Sequence, residues 1–266
     1  MFFNTLINYI EKLGKFTIRL LENFGAACIF VFKGWFQVFF PPYRPHLVMV
    51  QILQFGVNSS LVIGLIGFFT GAVLALQGEY TLNQFGATAY TGSMVALSLI
   101  RELGPVLTAL MVIGRAGSAI TAELGIMKIT EQIDALKSMA VDPIKYLISP
   151  RLLAGIISVP LLTILFIVIG IFGGYAVGVG LLGLSSGTFI TQMQASVKMI
   201  DLYSGIVKAI VFGFIFGWVS TYKGVTCGFG AVGVNKATTR AVVTASVAIL
   251  VVDYFLSSIL TRILLD

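Results

Sequence analysis

The sequence predicts an all-α integral membrane protein. Its 266 residues are 58% hydrophobic and 11% charged, with a mean hydropathy of +1.00, and this balance cannot give a soluble domain a polar exterior. A helix of about 20 apolar residues crosses a bilayer and satisfies its own backbone polar groups, so the spans are predicted to be helices. The 29 glycines fit this class, because small residues let membrane helices approach closely. The predicted order is an N-terminal amphipathic interfacial helix and five transmembrane helices, with a short cytoplasmic helix between spans two and three.

The N-terminal segment has the pattern of a helix that lies along the membrane surface. Over residues 2–24, apolar side chains recur at three- and four-residue steps with basic residues between them. An ordinary core-facing helix is the alternative for this pattern. Lys33 interrupts the aromatic stretch that follows, and the proline-rich segment beginning at Pro41 is predicted to end helical structure. The chain is therefore divided into an interfacial region, residues 1–45, and a transmembrane domain, residues 46–266.

Five hydrophobic stretches are long enough to cross the bilayer. The first carries no charge, and the polar, glycine-containing residues 79–93 after it are predicted to be an exposed connection. The uncharged interval 152–197 could hold one long span and an apolar connection, or two short spans. One span is favoured, because residues 184–193 turn polar. The predicted spans are residues 47–78, 94–124, 147–181, 200–222 and 238–262.

The distribution of basic residues predicts the orientation of the spans. Lys and Arg cluster before span one, between spans two and three, and between spans four and five. The 79–93 connection has neither residue, and the 182–199 connection has only Lys198. Because cytoplasmic loops are enriched in Lys and Arg, the N-terminus is predicted to be cytoplasmic and the C-terminus outside. This asymmetry accounts for the basic isoelectric point of about 9.4 without nucleic-acid binding, since no clustered basic and aromatic face occurs.

Charged residues within the predicted spans mark a substrate or ion path, because charge is costly inside a bilayer. Arg101 and Glu102 are predicted to lie at the outer interface, where the planar donors of Arg101 suit an anionic head group. Arg115 is predicted to lie about 12 Å inside the inner edge, where it needs a partner or water. Arg101, Arg115 and Glu123 fall within about 40° of one stripe, which predicts a polar track. Structural ion pairs and a snorkelling arginine are the alternative. Asp253 is a further acid, in span five, for which the sequence indicates no partner.

Residues 128–138 are predicted to form a short amphipathic helix between spans two and three. Its apolar side chains lie on one ridge, and polar side chains cover the remaining surface. Such a helix either rests on the membrane or inserts into a groove of a partner protein. The ridge consists of Ile129, Ile133 and Leu136, and the polar surface includes Glu131, Gln132 and Asp134.

The chain lacks the sequence signatures of a nucleotide-hydrolysing or metal-dependent enzyme. It contains no GxxxxGK[ST] phosphate loop, so ATP and its Mg²⁺ are expected on a separate ATPase subunit. The single histidine, His46, and the distant Cys28 and Cys227 form neither a metal-type spacing nor a nucleophile–base set. No cofactor, metal site or catalytic residue is therefore predicted in this chain.

A long motif runs from span two into span three. It reads RELGPVLTALMVIGRAGSAITAELG and continues, after one residue, as MKITEQIDALKSMAVDPIKYLISPRLLAG; a further motif, KATTRAVV, occupies residues 236–243. These motifs resemble the MlaE-type permease family, the membrane subunits of MCE-associated, lipid-transporting ABC systems. The resemblance covers most of the chain from about residue 47 onward.

The resemblance implies a homodimer in the bacterial inner (cytoplasmic) membrane, bound to two cytoplasmic ATPase subunits and capped on the periplasmic side by a ring of MCE-domain proteins. A small STAS-domain protein often binds the ATPase in such systems. They move phospholipids between the inner and outer membranes and so maintain outer-membrane lipid asymmetry. By resemblance, residues 128–138 would be the coupling helix seated on the ATPase. Arg101 and Glu102 would border an outward-facing lipid cavity, and Leu82 and Phe85 would contact acyl chains.

Two other functional classes fit part of the sequence. An ion- or proton-coupled secondary transporter would use Glu102, Asp253 and Arg115 as a relay and would act without an ATPase. However, the hydropathy profile shows no inverted repeat, and this class gives the short charged helix no role. A structural scaffold would account for the spans and leave the Arg101–Glu102 pair unexplained.

Overall fold

All of the regular structure in residues 2–37 and 44–265, which the computed structural model describes, is helical. Five helical stretches are long and apolar enough to cross a membrane, which confirms the predicted fold class and number of spans. The five spans are Pro45–Asn83, Thr88–Ile129, Ile144–Gly180, Met199–Val225 and Gly230–Arg262.

Several of the spans are composite helices. Single π-helical turns join successive α-helices within spans one and two and begin span three; they are Leu53–Val57, Leu99–Leu103, Ile113–Gly117 and Ile144–Ile148. The α-helices are α1 (Phe2–Phe36), α2 (Pro45–Ile52), α3 (Asn58–Asn83), α4 (Thr91–Ser98), α5 (Gly104–Val112), α6 (Ser118–Ile129), α7 (Gln132–Ser138), α8 (Ser149–Gly180), α9 (Ser186–Ser196), α10 (Met199–Val225) and α11 (Gly230–Leu265).

The N-terminal helix is longer than the sequence pattern indicated. It continues through Lys33 to Phe36, and a lysine in the last turn is compatible with a helix because it complements the C-terminal end of the helix dipole. Its second half is tied to the bundle, since Trp218 Nε1 donates to the carbonyl of Ala27 at 3.0 Å and Ser149 Oγ donates to that of Gly34 at 2.9 Å. Pro41 and most side chains of residues 2–24 lie outside the described residues, so the amphipathic surface helix stays a prediction.

The connection between spans one and two is shorter and more buried than predicted. Helix α3 continues to Asn83, and Thr91, within the predicted 79–93 connection, is fully buried in α4. The polarity of the adjoining sequence serves helix packing, because Ser93 Oγ donates to the carbonyl of Gln192 at 2.8 Å. The prediction of a fully exposed connection was therefore wrong in its second half.

The uncharged interval 152–197 contains a single span. Helix α8 runs without interruption to Gly180, and the polar segment after it forms the short helix α9. Phe189 of α9 is 3% exposed and packs edge-on against the Tyr175 ring, with centroids 5.7 Å apart, and Tyr175 OH lies 2.8 Å from Ser186 Oγ. These contacts hold α9 against the end of span three, which confirms the reading of one span.

Glycine contacts set the packing of spans one and three. A Cβ atom added to Gly71 would lie 1.8 Å from the carbonyl oxygen of Gly170, and one added to Gly67 would lie 2.8 Å from that of Phe166. Spans three and four meet similarly, since a Cβ on Gly213 would lie 2.5 Å from the carbonyl oxygen of Gly155. Only glycine permits this backbone approach, and the bundle is organised around span three.

Span five is the least covered of the spans. Only 11% of its most apolar stretch is buried within the chain, against 50% for spans two, three and four. Its Ala245 and Ile249 are fully buried against the bundle, whereas Val247 and Val251 are at least half exposed. The exposed face of α11 is thus available to lipid or to another protein.

Candidate functional site

Charged side chains of spans two, four and five meet at one end of the bundle. Arg101 and Glu102 lie in the π-helical turn Leu99–Leu103, where the amide of Gly104 donates to the carbonyl of Leu99 five residues earlier. Pro105 follows directly and lacks an amide hydrogen, so a wide turn at this point accommodates the interrupted helical bonding. We call the assembled set the charge cluster; it consists of Arg101, Glu102, Asp201, Lys208, Asp253 and Ser257.

Arg101 is paired with Asp201 at the start of span four. Its Nε and Nη2 atoms lie 2.8 and 2.7 Å from Asp201 Oδ1. The second carboxylate oxygen of Asp201 accepts from the backbone amide of Lys198 at 2.9 Å, so this acid also caps the first turn of α10. The Asp201 side chain is 2% exposed and that of Arg101 is 52% exposed. The ion pair therefore has an anchored acid and a half-exposed guanidinium.

Lys208 connects all three spans. Its ammonium lies 2.5 Å from Glu102 Oε2, 2.7 Å from Ser257 Oγ and 2.9 Å from the backbone carbonyl of Arg101. Asp253 Oδ1 lies 3.3 Å away, as an ion-pair contact rather than a hydrogen bond. The Lys208 side chain is 2% exposed, and a charged group this buried persists only when partners compensate its desolvation.

The structure identifies the partner of Asp253, which the sequence did not indicate. Lys208 lies within predicted span four and is, like Arg101, a charge inside apolar sequence. Neither Lys208 nor Asp201 is among the site residues that the sequence predicts. Arg101 and Glu102 form no pair with each other; each pairs with a residue of span four. Lys208 and Asp201 are therefore the site residues that sequence reasoning missed.

The charge cluster borders a cavity of about 230 Å³. Within the cluster, two cations oppose three carboxylates, and Lys198 supplies a third cation at the wall. Lys208 has its donors engaged, whereas Arg101 is half exposed, so Arg101 is the cluster cation best placed to receive an incoming anion. The cavity wall also includes Ile200, Ser204, Leu260 and Thr261.

Leu82 and Phe85 lie apart from this cavity wall. Leu82 is half-buried near the end of α3, and Phe85 is 78% exposed in the turn that follows. Neither residue lines the cavity beside Arg101. Their role as acyl-chain contacts stays a prediction.

The remaining predicted intramembrane residues contact other helices. Arg115 Nη1 donates to Ser59 Oγ of span one at 2.7 Å. Glu123 Oε1 lies 2.8 Å from Arg151 Nη2 of span three, and the Arg151 side chain is 4% exposed. Arg101 and Arg115 each lie in a π-helical turn of span two, so counting 100° per residue does not describe this span. The three predicted track residues bond to three different helices.

The helix between spans two and three is α7, and it begins later than predicted. Ile129 is the last residue of α6, packed against the cluster formed by Cys227, Val234 and Ala237, so it does not belong to the short helix. The break occurs at Glu131, which adopts a left-handed φ of 59°. Ile133 is buried and Leu136 is half-buried against the core, while Glu131, Gln132 and Asp134 are among the exposed residues. The apolar ridge thus anchors α7 to the bundle and the polar side remains available.

The chain matches the family model described as Permease MlaE over residues 48–259. It is 45% identical to the intermembrane phospholipid transport system permease protein MlaE of Haemophilus influenzae, across 96% of this chain and 98% of that protein. It is 43% identical to a probable ABC transporter permease protein of Rickettsia typhi, across 97% of this chain and all of that protein. It is also 36% identical to the chloroplastic protein TRIGALACTOSYLDIACYLGLYCEROL 1 of Arabidopsis thaliana, across 78% of this chain and 59% of that protein.

Proposed function

This chain belongs to the MlaE permease family, and we propose that it is the membrane subunit of an ABC transporter that moves phospholipids between the inner and outer membranes. The family that the sequence of spans two and three resembles is the same as the family whose model the chain matches. The proposal places the chain in the inner membrane, with its N-terminus in the cytoplasm and its C-terminus in the periplasm.

The observation that carries this proposal is the half-exposed Arg101 at a cavity within an apolar bundle. A phospholipid has an anionic phosphate and apolar chains, and it needs a cation and a hydrocarbon-compatible surface close together. Arg101 supplies the cation, oriented by the buried Asp201, and Ile200 and Leu260 lie in the same cavity wall. We infer that the lipid head group binds here, with Glu102 and Lys208 holding the surrounding helices in register.

The exposed polar side of α7 supports an ATPase partner. Asp134 and Lys137 form an exposed pair, 2.7 Å apart, on a helix whose apolar ridge is already packed on the bundle. A short, anchored helix with a free polar side suits a groove on a soluble protein. ATP and Mg²⁺ would be bound by that partner, whose closure would move α7, narrow the cavity and expel the lipid.

The proposal includes a homodimer, and the exposed apolar face of span five supports it. A second copy could cover that face, leaving lipid cavities on either side of or between the two chains. A periplasmic ring of MCE-domain proteins would receive the lipid, and a STAS-domain protein could accompany the ATPase. These partners follow from the family resemblance.

Lipid capture from the cavity wall tests the binding site. A photoreactive residue is placed at Leu260, in the wall, or at Val168, an exposed position on α8, in the complex reconstituted with labelled phospholipid. The double variant Arg101→Gln/Asp201→Asn removes both charges and leaves no unpaired buried acid. It is expected to lower phospholipid capture at Leu260 about tenfold, the equivalent of one charged hydrogen bond, and to leave capture at Val168 unchanged. Equal capture at Leu260 with and without the charges would reject the cavity as the head-group site.

Copurification tests the ATPase contact. Asp134→Lys reverses a charge on the polar side of α7 and is expected to abolish recovery of the ATPase with the permease. Glu11→Lys is the matched control, because Glu11 also forms an exposed intrahelical pair, with Lys15 of α1. Undiminished ATPase recovery with Asp134→Lys would contradict the role of α7.

An ion-coupled secondary transporter is the alternative function. The observation that favours it is the buried Lys208 between Glu102 and Asp253, an arrangement of titratable groups that a proton relay could use. This alternative predicts lipid transfer that follows a proton gradient when the ATPase is absent. Transfer that requires both the ATPase and ATP would exclude it.

A further inference from the structure

Arg115 is a cation inside span two with no carboxylate within 4.0 Å among the described residues. Its hydrogen-bond partner is the neutral Ser59 hydroxyl, at 2.7 Å. Arg101, Lys208 and Arg151, in contrast, are each paired with an acid of the chain. A guanidinium at this depth is energetically costly unless a counter-charge or water reaches it. The described residues of the protomer provide no such counter-charge, so the position calls for water or an outside anion.

The surroundings of Arg115 leave room for a ligand. Arg115 and the neighbouring Gly114 are both exposed, and a Cβ atom added to Gly114 would meet no atom within 4 Å. Both lie in the π-helical turn Ile113–Gly117, where Ser118 Oγ donates to the carbonyls of Gly114 and Arg115 at 2.6 and 2.9 Å. These two carbonyls share the Ser118 hydroxyl as a donor, and the guanidinium donors not used by Ser59 remain for a ligand.

Among the residues that the structure describes, a second copy of the chain has no free acid to offer at this depth. The carboxylates of Glu102, Asp201, Asp253 and Glu123 are all paired with cations of their own protomer. Glu79 lies on α3 about 30 Å along the helix from Ser59, by a rise of 1.5 Å per residue. A counter-charge at Arg115 would therefore come from outside the described part of the chain, and the anion that a bilayer contains in quantity is the lipid phosphate.

We propose that Arg115 and Ser59 form a second phosphate-binding station for phospholipid, deeper in the membrane than the charge cluster. This inference rests on the proposed lipid transport. Arg115 lies 14 residues from Arg101, about 21 Å along span two, and both arginines are exposed. A planar guanidinium held by Ser59 can present parallel donors to two phosphate oxygens. A lipid head group would bind at Arg115 and then at Arg101 on its way through the permease.

Photocapture at position 114 tests the station. The open space at Gly114 admits a photoreactive side chain, and Val168 on the exposed face of α8 is the matched lipid-facing control. The complete complex is reconstituted in nanodiscs that contain either radiolabelled phosphatidylglycerol or radiolabelled diacylglycerol with the same chains. The expected capture at 114 is about tenfold higher for phosphatidylglycerol, the effect of one charged hydrogen bond. Capture at Val168 is expected to be equal for the two lipids.

Substitutions of Arg115 and Ser59 then test whether these residues cause the preference for phosphatidylglycerol over diacylglycerol. Arg115→Gln is expected to lower phosphatidylglycerol capture at 114 to the diacylglycerol level, and Arg115→Lys, which keeps the charge, to retain part of it. Ser59→Ala is expected to give an intermediate loss. Excess inorganic phosphate should have no effect if the ligand is a lipid phosphate, and would abolish capture if free phosphate occupied the site.

Four outcomes would overturn this proposal: equal capture of the two lipids, unchanged capture in Arg115→Gln, abolition by inorganic phosphate, or crosslinking at 114 to a second copy in place of lipid. Capture at position 260 is measured in parallel, with the photoreactive residue placed there instead of at 114. If Leu260 still captures phospholipid while position 114 shows no selectivity, the second station is wrong and the transport proposal stands. Equal capture of the two lipids at both positions, with Arg101 and Arg115 in place, would reject both proposals.

Discussion

Lys208 is the residue at which the polar contacts between spans two, four and five converge. Its buried ammonium bonds to Glu102 and Ser257 and lies 3.3 Å from Asp253. Because the positive charge lies between two acids, it replaces the solvation that both would have in water. The arrangement stabilises the site only while every partner is present.

Replacing Lys208 by methionine should destabilise the protein by about 3–5 kcal/mol, because two acids lose their cation. Unfolding of the purified permease in detergent measures this. Lys198→Met, at an exposed position, should change stability by less than about 0.5 kcal/mol. Adding Glu102→Gln and Asp253→Asn to Lys208→Met should restore most of the loss. A Lys208→Met protein as stable as the Lys198→Met protein would contradict this account.

At the scale of single residues, the sequence indicated which side chains are unusual and not what they contact. Arg101, Arg115 and Asp253 were recognisable because a charge in an apolar run stands out without any structure. Their partners Asp201, Ser59 and Lys208 lie 100, 56 and 45 residues away in sequence, on other helices. No local pattern encodes such a pairing.

At the scale of elements, α7 is delimited by two residues in the left-handed conformation, Glu131 and Ala140, both with φ of 59°. At its C-terminal end, Val141 N donates to the carbonyl of Leu136 and Ala140 N to that of Lys137, a Schellman motif. Glycine is the usual residue at the position of Ala140, because a side chain is strained there. The cap orients the helix proposed to contact the ATPase.

Ala140→Gly should therefore stabilise the protein by about 0.5–1 kcal/mol, since relief of left-handed strain outweighs the greater freedom of glycine in the unfolded chain. The unfolding midpoint in detergent is the measurement. Ala135→Gly, within α7 and also exposed, should have the opposite sign, with a loss of about 1 kcal/mol. A lower midpoint for Ala140→Gly would show that the strain is absent.

Gly71→Ala should separate spans one and three. The added Cβ would lie 1.8 Å from the carbonyl of Gly170, and backbone must move to accept it. We expect destabilisation of about 1–3 kcal/mol or more, measured by unfolding in detergent. Gly180→Ala, on α8 with no atom within 4 Å of the added Cβ, is the control and should be close to neutral. Equal stability of the two variants would show that this contact does not set the packing.

At the scale of the whole molecule, five membrane-crossing helices would place the two ends of the chain on opposite sides of the membrane. The basic segments before span one and around α7 would then lie on one side, and the connection with Phe85 on the other. In the proposed transport path, the ATPase contact at α7 and the charge cluster are on opposite sides of the membrane.

Cysteine labelling tests the orientation. With Cys28 and Cys227 replaced by serine, a cysteine at the exposed Ser138 of α7 should resist a membrane-impermeant reagent in intact cells and react after the cells are opened. A cysteine at Phe85 should react in intact cells. Labelling of position 138 from outside would reverse the topology and remove the contact between α7 and a cytoplasmic ATPase.

The sequence by itself determined the class of protein, the five spans and the approximate position of the short helix between spans two and three. These properties depend only on local sequence. Each membrane helix satisfies its own backbone hydrogen bonds, and the apolar residues that cross the bilayer are consecutive in the chain. The tertiary structure alone decided that Lys208 neutralises Asp253 and that Asp201 orients Arg101. The physical reason is that these pairs depend on the rotation and approach of separate helices, which interhelical glycine contacts and π-helical turns set.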